Sequence, residues 1–280
     1  MINILYCGNY KVFDGMLTCS LSILKRSKLT EPITFYIFTM NVSHLREDYL
    51  PVTEGQLKFF NEVIKSYNEE NNAILIDVTD LYKSEFTGCP NESAYCSPYT
   101  LIRLLADKIE GIPDKLLYLD CDLMFNRDIH LLYDLDVSGY EYFASRDYYG
   151  KFLIKPNYIN AGVLLFNIKM AKETGLFEKA RAWLRKKKLV FADQSALIRS
   201  TTKRRVLSQR FNDQKFLHKK TVIRHFSKRL FWLPYPHIDN IKQWHIDRVH
   251  KVFKYHNFDD ILNEYVNLKK KYDRGFKDHE

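Results

Sequence analysis

Apolar runs alternate with apolar residues at helical spacing through the first two thirds of the chain. Ile2–Tyr6 is a short apolar run stopped by Gly8-Asn9, the pattern of a buried strand entering a loop. Met16, Leu17, Leu21 and Leu24 then fall at helical spacing. Ile33–Phe38 has the composition of a second strand, Leu57–Tyr67 of a helix and Ala73–Val78 of a third strand. Thr100–Ile109 reads as a helix stopped by Gly111-Ile-Pro113. Lys115–Leu119 and Ala161–Phe166 are continuously apolar, as strands covered on both faces must be. A further helix is expected from Lys169 to about Lys187. This alternation predicts an α/β fold around a mixed, mainly parallel sheet. No internal repeat or Pro/Gly/Ser-rich linker divides the chain, so one domain is expected over residues 1–235, followed by a short helical appendage over 236–280.

Composition narrows the class. With 46% hydrophobic and 28% charged residues, the 280-residue chain has globular proportions and is not disordered. No run of 18 apolar residues occurs, and the N-terminus lacks a charged region followed by a long apolar core. A soluble cytoplasmic protein is the expectation. The five cysteines (Cys7, Cys19, Cys89, Cys96 and Cys121) include no Cys-x-x-Cys pair, so zinc ribbons and thioredoxin-type sites are not expected. Reduced, mostly buried thiols are.

The net charge of +9 is unevenly spread. Arg181 to Arg229 holds sixteen Lys/Arg against Asp193 and Asp213, a local balance of +14. Such a bias suits an anionic partner such as nucleic acid, a phosphorylated small molecule or an anionic membrane surface. The run Arg185-Lys186-Lys187-Lys188 equally fits a solvated helix end.

The densest chemical signal is Leu116-Leu-Tyr-Leu-Asp120-Cys121-Asp122. Open α/β sheets bind ligands at the carboxyl ends of their strands, and two acids emerge there. In extended backbone, positions i and i+2 point the same way, so Asp120 and Asp122 can converge on one object. Convergent carboxylates repel unless they share a cation, and hard oxygen ligands favour Mn²⁺ or Mg²⁺. Two solvated loop acids remain the alternative.

Here the sequence resembles the family 8 retaining glycosyltransferases. The resemblance rests on Tyr118-Leu-Asp120-Cys-Asp122 and Asn160-Ala-Gly-Val-Leu-Leu-Phe-Asn167, with Arg103-Leu104 upstream. Phe191-Ala-Asp193-Gln194, Arg210-Phe-Asn212 and Ile223-Arg-His225-Phe226 continue it downstream, in order, over residues 2–232. It implies a Rossmann-like GT-A nucleotide-sugar-binding domain, a UDP-hexose donor and Mn²⁺ (or Mg²⁺) held by Asp120, Asp122 and His225. It also implies donor contacts from Asn160, Ala161 and Gly162, and an arginine near the donor sugar at Arg103. Tyr6 and Cys121 join the expected nucleotide-binding positions. Gly162 has a reason of its own, since a missing Cβ lets backbone approach a ligand. Asp193 is implied to hold donor-sugar hydroxyls, although its place before an apolar helix also suits an N-cap. Gln194 is implied near the anomeric carbon, where an amide serves better as a stabilising dipole than as a nucleophile.

Two departures from the family pattern matter. The N-terminal loop reads Gly8-Asn9-Tyr10 where the family usually has an Asp, so Asn9 is expected to meet the uracil N3–H or Tyr10 to stack on the base. After His225 the family's glycine and diphosphate lysine are missing at their usual spacing, and Lys228 or Arg229 is the expected substitute. The acceptor implied is a cell-surface glycan or lipid-linked saccharide. The aromatic and charged residues of 241–280 either contact a membrane surface peripherally or pack on the domain. The rival readings are a nucleic-acid-binding protein using the 181–229 stretch, which carries no recognisable binding motif, and a metal-dependent phosphohydrolase.

Overall fold

Continuously apolar strands need cover on both faces, and the chain supplies it from two sets of helices. The computed structural model describes residues 1–92 and 97–275. Its strands are β1 (Ile2–Cys7), β2 (Ile33–Thr39), β3 (Asn72–Asp77), β4 (Lys115–Leu119), β5 (Leu123–Phe125) and β6 (Tyr142–Arg146). β7 (Ile159–Asn167), β8 (Arg204–Leu207), β9 (Ile223–His225), β10 (Arg229–Phe231) and β11 (His237–Asp239) follow. Seven of them form one sheet in the order β3-β2-β1-β4-β7-β6-β8. All neighbours are parallel except β7, which runs antiparallel to both β4 and β6.

Alternate residues of β4 feed two cores. Leu117 and Leu119 pack with Phe13, Met16 and Phe59, from helices Phe13–Arg26 and Glu54–Lys65. Leu116 and Tyr118 pack with Tyr82, Leu104, Phe177 and Leu197 on the opposite face. No described helix is long and apolar enough to cross a membrane. Cys7, Cys19, Cys89 and Cys121 are free thiols, and Cys96 lies outside the described residues.

Some elements differ from expectation. The helix expected over Thr100–Ile109 is present as two tight three-residue-per-turn helices, Pro98–Thr100 and Ile102–Lys108. Arg103 Nε donates to the Thr100 carbonyl (2.9 Å), so a side chain takes an acceptor otherwise left to the backbone. The helix expected over Lys169–Lys187 is two, Ile168–Glu173 and Leu176–Lys186, broken where Gly175 turns left-handed (φ 68°).

The boundary expected at residue 235 falls in the turn of the β10–β11 hairpin, and the segment beyond shares the main core. Helix Asp259–Gly275 lies along Phe13–Arg26: the Tyr272 and Phe13 rings are 4.8 Å apart, and Lys269 pairs with Asp14 at 3.0 Å. Phe258, Tyr265 and Tyr272 are buried, while Trp244, Phe253 and Tyr255 lean on the same core. These aromatics pack on the domain; Phe276 lies outside the described residues.

The basic stretch is not one surface. Arg181 is buried against Asp107 (2.6 Å), and Arg224 is buried among Phe226, Phe253 and Tyr255. Arg185 to Lys188 are exposed at a helix end, as a solvated run would be.

Candidate active site

The backbone turns at Asp120-Cys121-Asp122 instead of continuing β4, yet both carboxylates reach one partner. That partner is His225, which the antiparallel β5–β9 ladder sets opposite Leu123. His225 Nε2 lies 3.0 Å from Asp122 Oδ1 and 3.8 Å from Asp120 Oδ2. Ligand atoms of the three residues all lie within 4.8 Å of one another. Gly162 makes this approach possible: a Cβ there would stand 2.5 Å from His225 Cε1 and 2.8 Å from Asp120 Oδ2.

A chain of hydrogen bonds fixes the histidine tautomer. The Gly162 N–H donates to Asn160 Oδ1 (2.9 Å), which identifies that atom as an acceptor. Asn212 Nδ2 donates to the same oxygen (2.8 Å), leaving Asn212 Oδ1 to accept from His225 Nδ1–H (2.9 Å). Neutral His225 therefore presents its Nε2 lone pair to the two carboxylates, whereas the imidazolium donates Nε2–H to Asp122 Oδ1. Three acceptors facing one point repel unless a cation or proton lies between them. This donor set suits a hard or borderline divalent ion such as Mn²⁺ or Mg²⁺.

One cation is already present in the chain. Lys242 Nζ pairs with Asp122 Oδ2 and donates to the Phe226 carbonyl (3.1 Å). Burial alone would raise the Asp122 carboxyl; Lys242 and then His225 more than offset it, leaving it well below the usual carboxylate range. Lys242 borders a cavity of about 250 Å³ lined also by Gly8, Asn9, Tyr99, Asp120, Asp122 and Trp244. Lys228, the expected substitute for the diphosphate lysine, does not border it. Sequence reading missed Lys242 because the β10–β11 hairpin carries it seventeen residues past His225.

Arg103 joins the carboxylates to the rest of the site. Its guanidinium is buried, stacked 3.8 Å from the Tyr118 ring centroid, and donates to the Ala161 carbonyl at 2.6 Å. It lies 3.4 Å from both Asp120 Oδ1 and Asp193 Oδ2. Burial works against its charge, but Tyr118, Asp193 and Asp120 outweigh burial and hold it protonated. Burial pushes Asp193 up, only partly offset by Arg103. Asp193 Oδ2 is buried, with the Arg103 ion pair beside it but no hydrogen bond of its own. Asp193 is not an N-cap: helix Ala192–Ser200 starts one residue earlier, with Phe191 flanking it. Gln194 Oε1 accepts from the Ala161 N–H (2.9 Å), so the Ala161 peptide ties arginine and glutamine together.

Two N-terminal expectations change. Tyr6 is fully buried, stacked on Phe35 with its hydroxyl 3.0 Å from Ser20 Oγ, and faces the core rather than the cavity. The Asn9 side-chain oxygen accepts from Lys11 N (3.2 Å), so the carbonyl expected to meet uracil caps a short helical turn. Tyr10 does not line the cavity, whereas Tyr99 and Trp244, unforeseen from the sequence, do. Cys121 also borders it. A second metal-capable group, His250, His256 and Asp259, shares no residue with the cavity lining.

A mainly parallel sheet with an acid-rich turn at the end of β4 is the architecture of GT-A glycosyltransferases, and comparison with solved structures agrees. The chain superposes on the galactosyltransferase LgtC, solved in complex with donor and acceptor sugar analogues, with TM-score 0.70 at 19% identity, covering 94% of this chain and 96% of that one. The glycosyltransferase GlyE of Streptococcus pneumoniae gives TM-score 0.60 at 19% identity, over 95% of this chain and 64% of the other. The family model "Glycosyl transferase family 8" matches residues 3–245, and the chain belongs to that family. The match runs past Lys242. A candidate glycosyltransferase of Haemophilus influenzae is 27% identical over 228 residues, 66% of this chain and 68% of its own length. The glycosyltransferase GlyA of S. pneumoniae is 28% identical over 179 residues, 63% of this chain but 22% of the longer protein. The chain is a glycosyltransferase.

Proposed function

We propose that the enzyme transfers a hexose from a UDP-hexose to a saccharide or lipid-linked saccharide acceptor, with retention of configuration and dependence on Mn²⁺ or Mg²⁺. The observation that carries this reading is the convergence of Asp120, Asp122 and the Nε2 lone pair of His225 on one point. A divalent ion bound there would neutralise the charge that grows on a departing diphosphate. Lys242, already at Asp122, contributes a second positive charge to that leaving group. Asp193 accepts from donor-sugar hydroxyls, with Arg103 fixing its position. Gln194, oriented by the Ala161 N–H, sets an amide dipole near the anomeric carbon. Trp244 and Tyr99 give the cavity aromatic walls suited to a base. Acceptor attack on the face that UDP leaves preserves the α configuration.

Nucleic-acid binding is not favoured, because the basic stretch is interrupted by the buried Arg181 and Arg224. A two-metal phosphohydrolase needs more ligands than Asp120, Asp122 and His225 bring together. Thermal shift tests the reading: UDP should stabilise the wild type in Mn²⁺ far more than in EDTA. Asp122→Ala should abolish that metal-linked gain while still unfolding cooperatively. An Asp122→Ala response equal to wild type removes the metal assignment.

A further inference from the structure

Water-exposed two-stranded hairpins normally turn their apolar side inward and their charges outward. The β10–β11 hairpin carries apolar residues on its solvent side as well. Its inward side carries Phe231, stacked on His237 (5.5 Å between centroids) and on Phe253 (6.4 Å), with Arg229 set opposite Asp239. Leu230 and Ile238 are cross-strand partners on the other side, and Trp232 follows Leu230 in alternation. Ile238 is 67% exposed, and the tip residues Trp232, Leu233 and Tyr235 are 68%, 83% and 66% exposed. Exposed apolar groups clustered on one projecting element mark an interaction surface.

We propose that this hairpin is a membrane-insertion element, docking the enzyme on an anionic lipid bilayer. Trp and Tyr favour the lipid headgroup region, and Leu233 at the apex suits the acyl boundary beneath it. The charge around the hairpin selects the partner. Residues 226–254 carry six Lys/Arg (Lys228, Arg229, Lys242, Arg248, Lys251, Lys254) against Asp239 and Asp247. Lys251 and Lys254 are exposed. A second copy of the chain would bring these like charges together, whereas an anionic leaflet complements them.

Placement gives the contact its meaning. The hairpin leaves the core beside His225 and returns at Lys242, whose ammonium closes the neck through Asp122 and the Phe226 carbonyl. Three-residue strands at about 3.3 Å per residue extend roughly 10 Å, so an inserted tip holds the active site near the headgroups. This inference rests on the surface alone and is independent of the donor assignment.

The test is co-sedimentation with vesicles of phosphatidylcholine alone and of phosphatidylcholine with phosphatidylglycerol in equal parts. Wild type should bind the anionic vesicles, and the double variant Trp232→Ser/Leu233→Ser should bind at least tenfold more weakly, the equivalent of about 1.4 kcal/mol. Its melting temperature and its UDP-linked thermal shift should match wild type. Should the double variant misfold, Leu233→Ser and Tyr235→Ser are tested singly, each with a several-fold loss expected. Lys251→Glu/Lys254→Glu should also weaken binding to anionic vesicles. The proposal is overturned if wild type does not bind vesicles, or if the folded tip variants bind as tightly as wild type. It is equally overturned if Trp232→Ser/Leu233→Ser dissociates a wild-type dimer, or lowers transfer to a water-soluble saccharide, without changing vesicle binding.

Discussion

Replacing Lys242 with Met removes one positive charge while keeping the length of the side chain, and the consequences separate by assay. Lys242 touches Asp122 Oδ2 and the Phe226 carbonyl, and it borders the cavity. If its ammonium meets the departing diphosphate, the variant loses one charge-assisted contact, of about 1.5–3 kcal/mol. At about 1.4 kcal/mol per tenfold, kcat/KM for UDP-hexose should fall roughly ten- to a hundred-fold. The contact strengthens as charge develops on the leaving group, so kcat should carry much of the loss. Metal binding should move the other way. Lys242 and a divalent ion both draw on Asp122, so Lys242→Met should bind Mn²⁺ in the absence of nucleotide at least as tightly as wild type. Without metal, the half-buried Asp122 carboxylate is left with His225 alone, and the variant should melt earlier than wild type, with Mn²⁺ restoring much of the difference. Steady-state kinetics, Mn²⁺ titration and melting curves read the three effects, with Lys228→Met as the comparison, expected within about threefold of wild type. Equal losses in Lys228→Met and Lys242→Met would refute a single positioned cation and point to a diffuse field. Unchanged kinetics in Lys242→Met would remove the lysine from the mechanism.

Other parts of the site make separate predictions. Gly162→Ala forces a methyl against His225 Cε1 and Asp120 Oδ2, so the metal-dependent UDP response should be lost, with destabilisation of about 1–3 kcal/mol by denaturant titration. A fully responsive Gly162→Ala would mean that His225 can move away without consequence. Lys186→Gln/Lys187→Gln alters the exposed helix end, and donor turnover should stay within about twofold of wild type in a UDP-release assay. A larger fall would bring the long-range basic field into the reaction.

The sequence made β4 legible because Lys115–Leu119 is apolar at every position a doubly covered strand must fill. Asp120 and Asp122 followed, since polar residues directly after such a strand have only its end to occupy. Strand direction was not legible for β7: a run such as Ala161–Phe166 reads the same in either orientation, and only the placement of its neighbours makes it antiparallel. The helix over Thr100–Ile109 was legible but its tight winding was not, because periods of 3.0 and 3.6 hardly separate over so few residues. Arg103, Asp193 and Gln194 were reached through family resemblance, and the structure brings them together around the Ala161 peptide. Lys242 could not be read by spacing. A hairpin returns to within one residue's width of where it left, so seventeen positions of sequence close to a single contact at Asp122. Aromatic residues were ambiguous for a similar reason, because Tyr272 in the core and Trp232 in solvent differ only in what the fold sets against them.

The central claim is metal-dependent transfer of a hexose from a UDP-sugar with retention. It is tested most directly by following UDP-hexose turnover by proton NMR with a saccharide acceptor, in Mn²⁺ and in EDTA. An α-linked product that forms in Mn²⁺ and falls at least a hundredfold in EDTA is the predicted result. A β-linked product, or an α-linked product formed equally fast without metal, would contradict it.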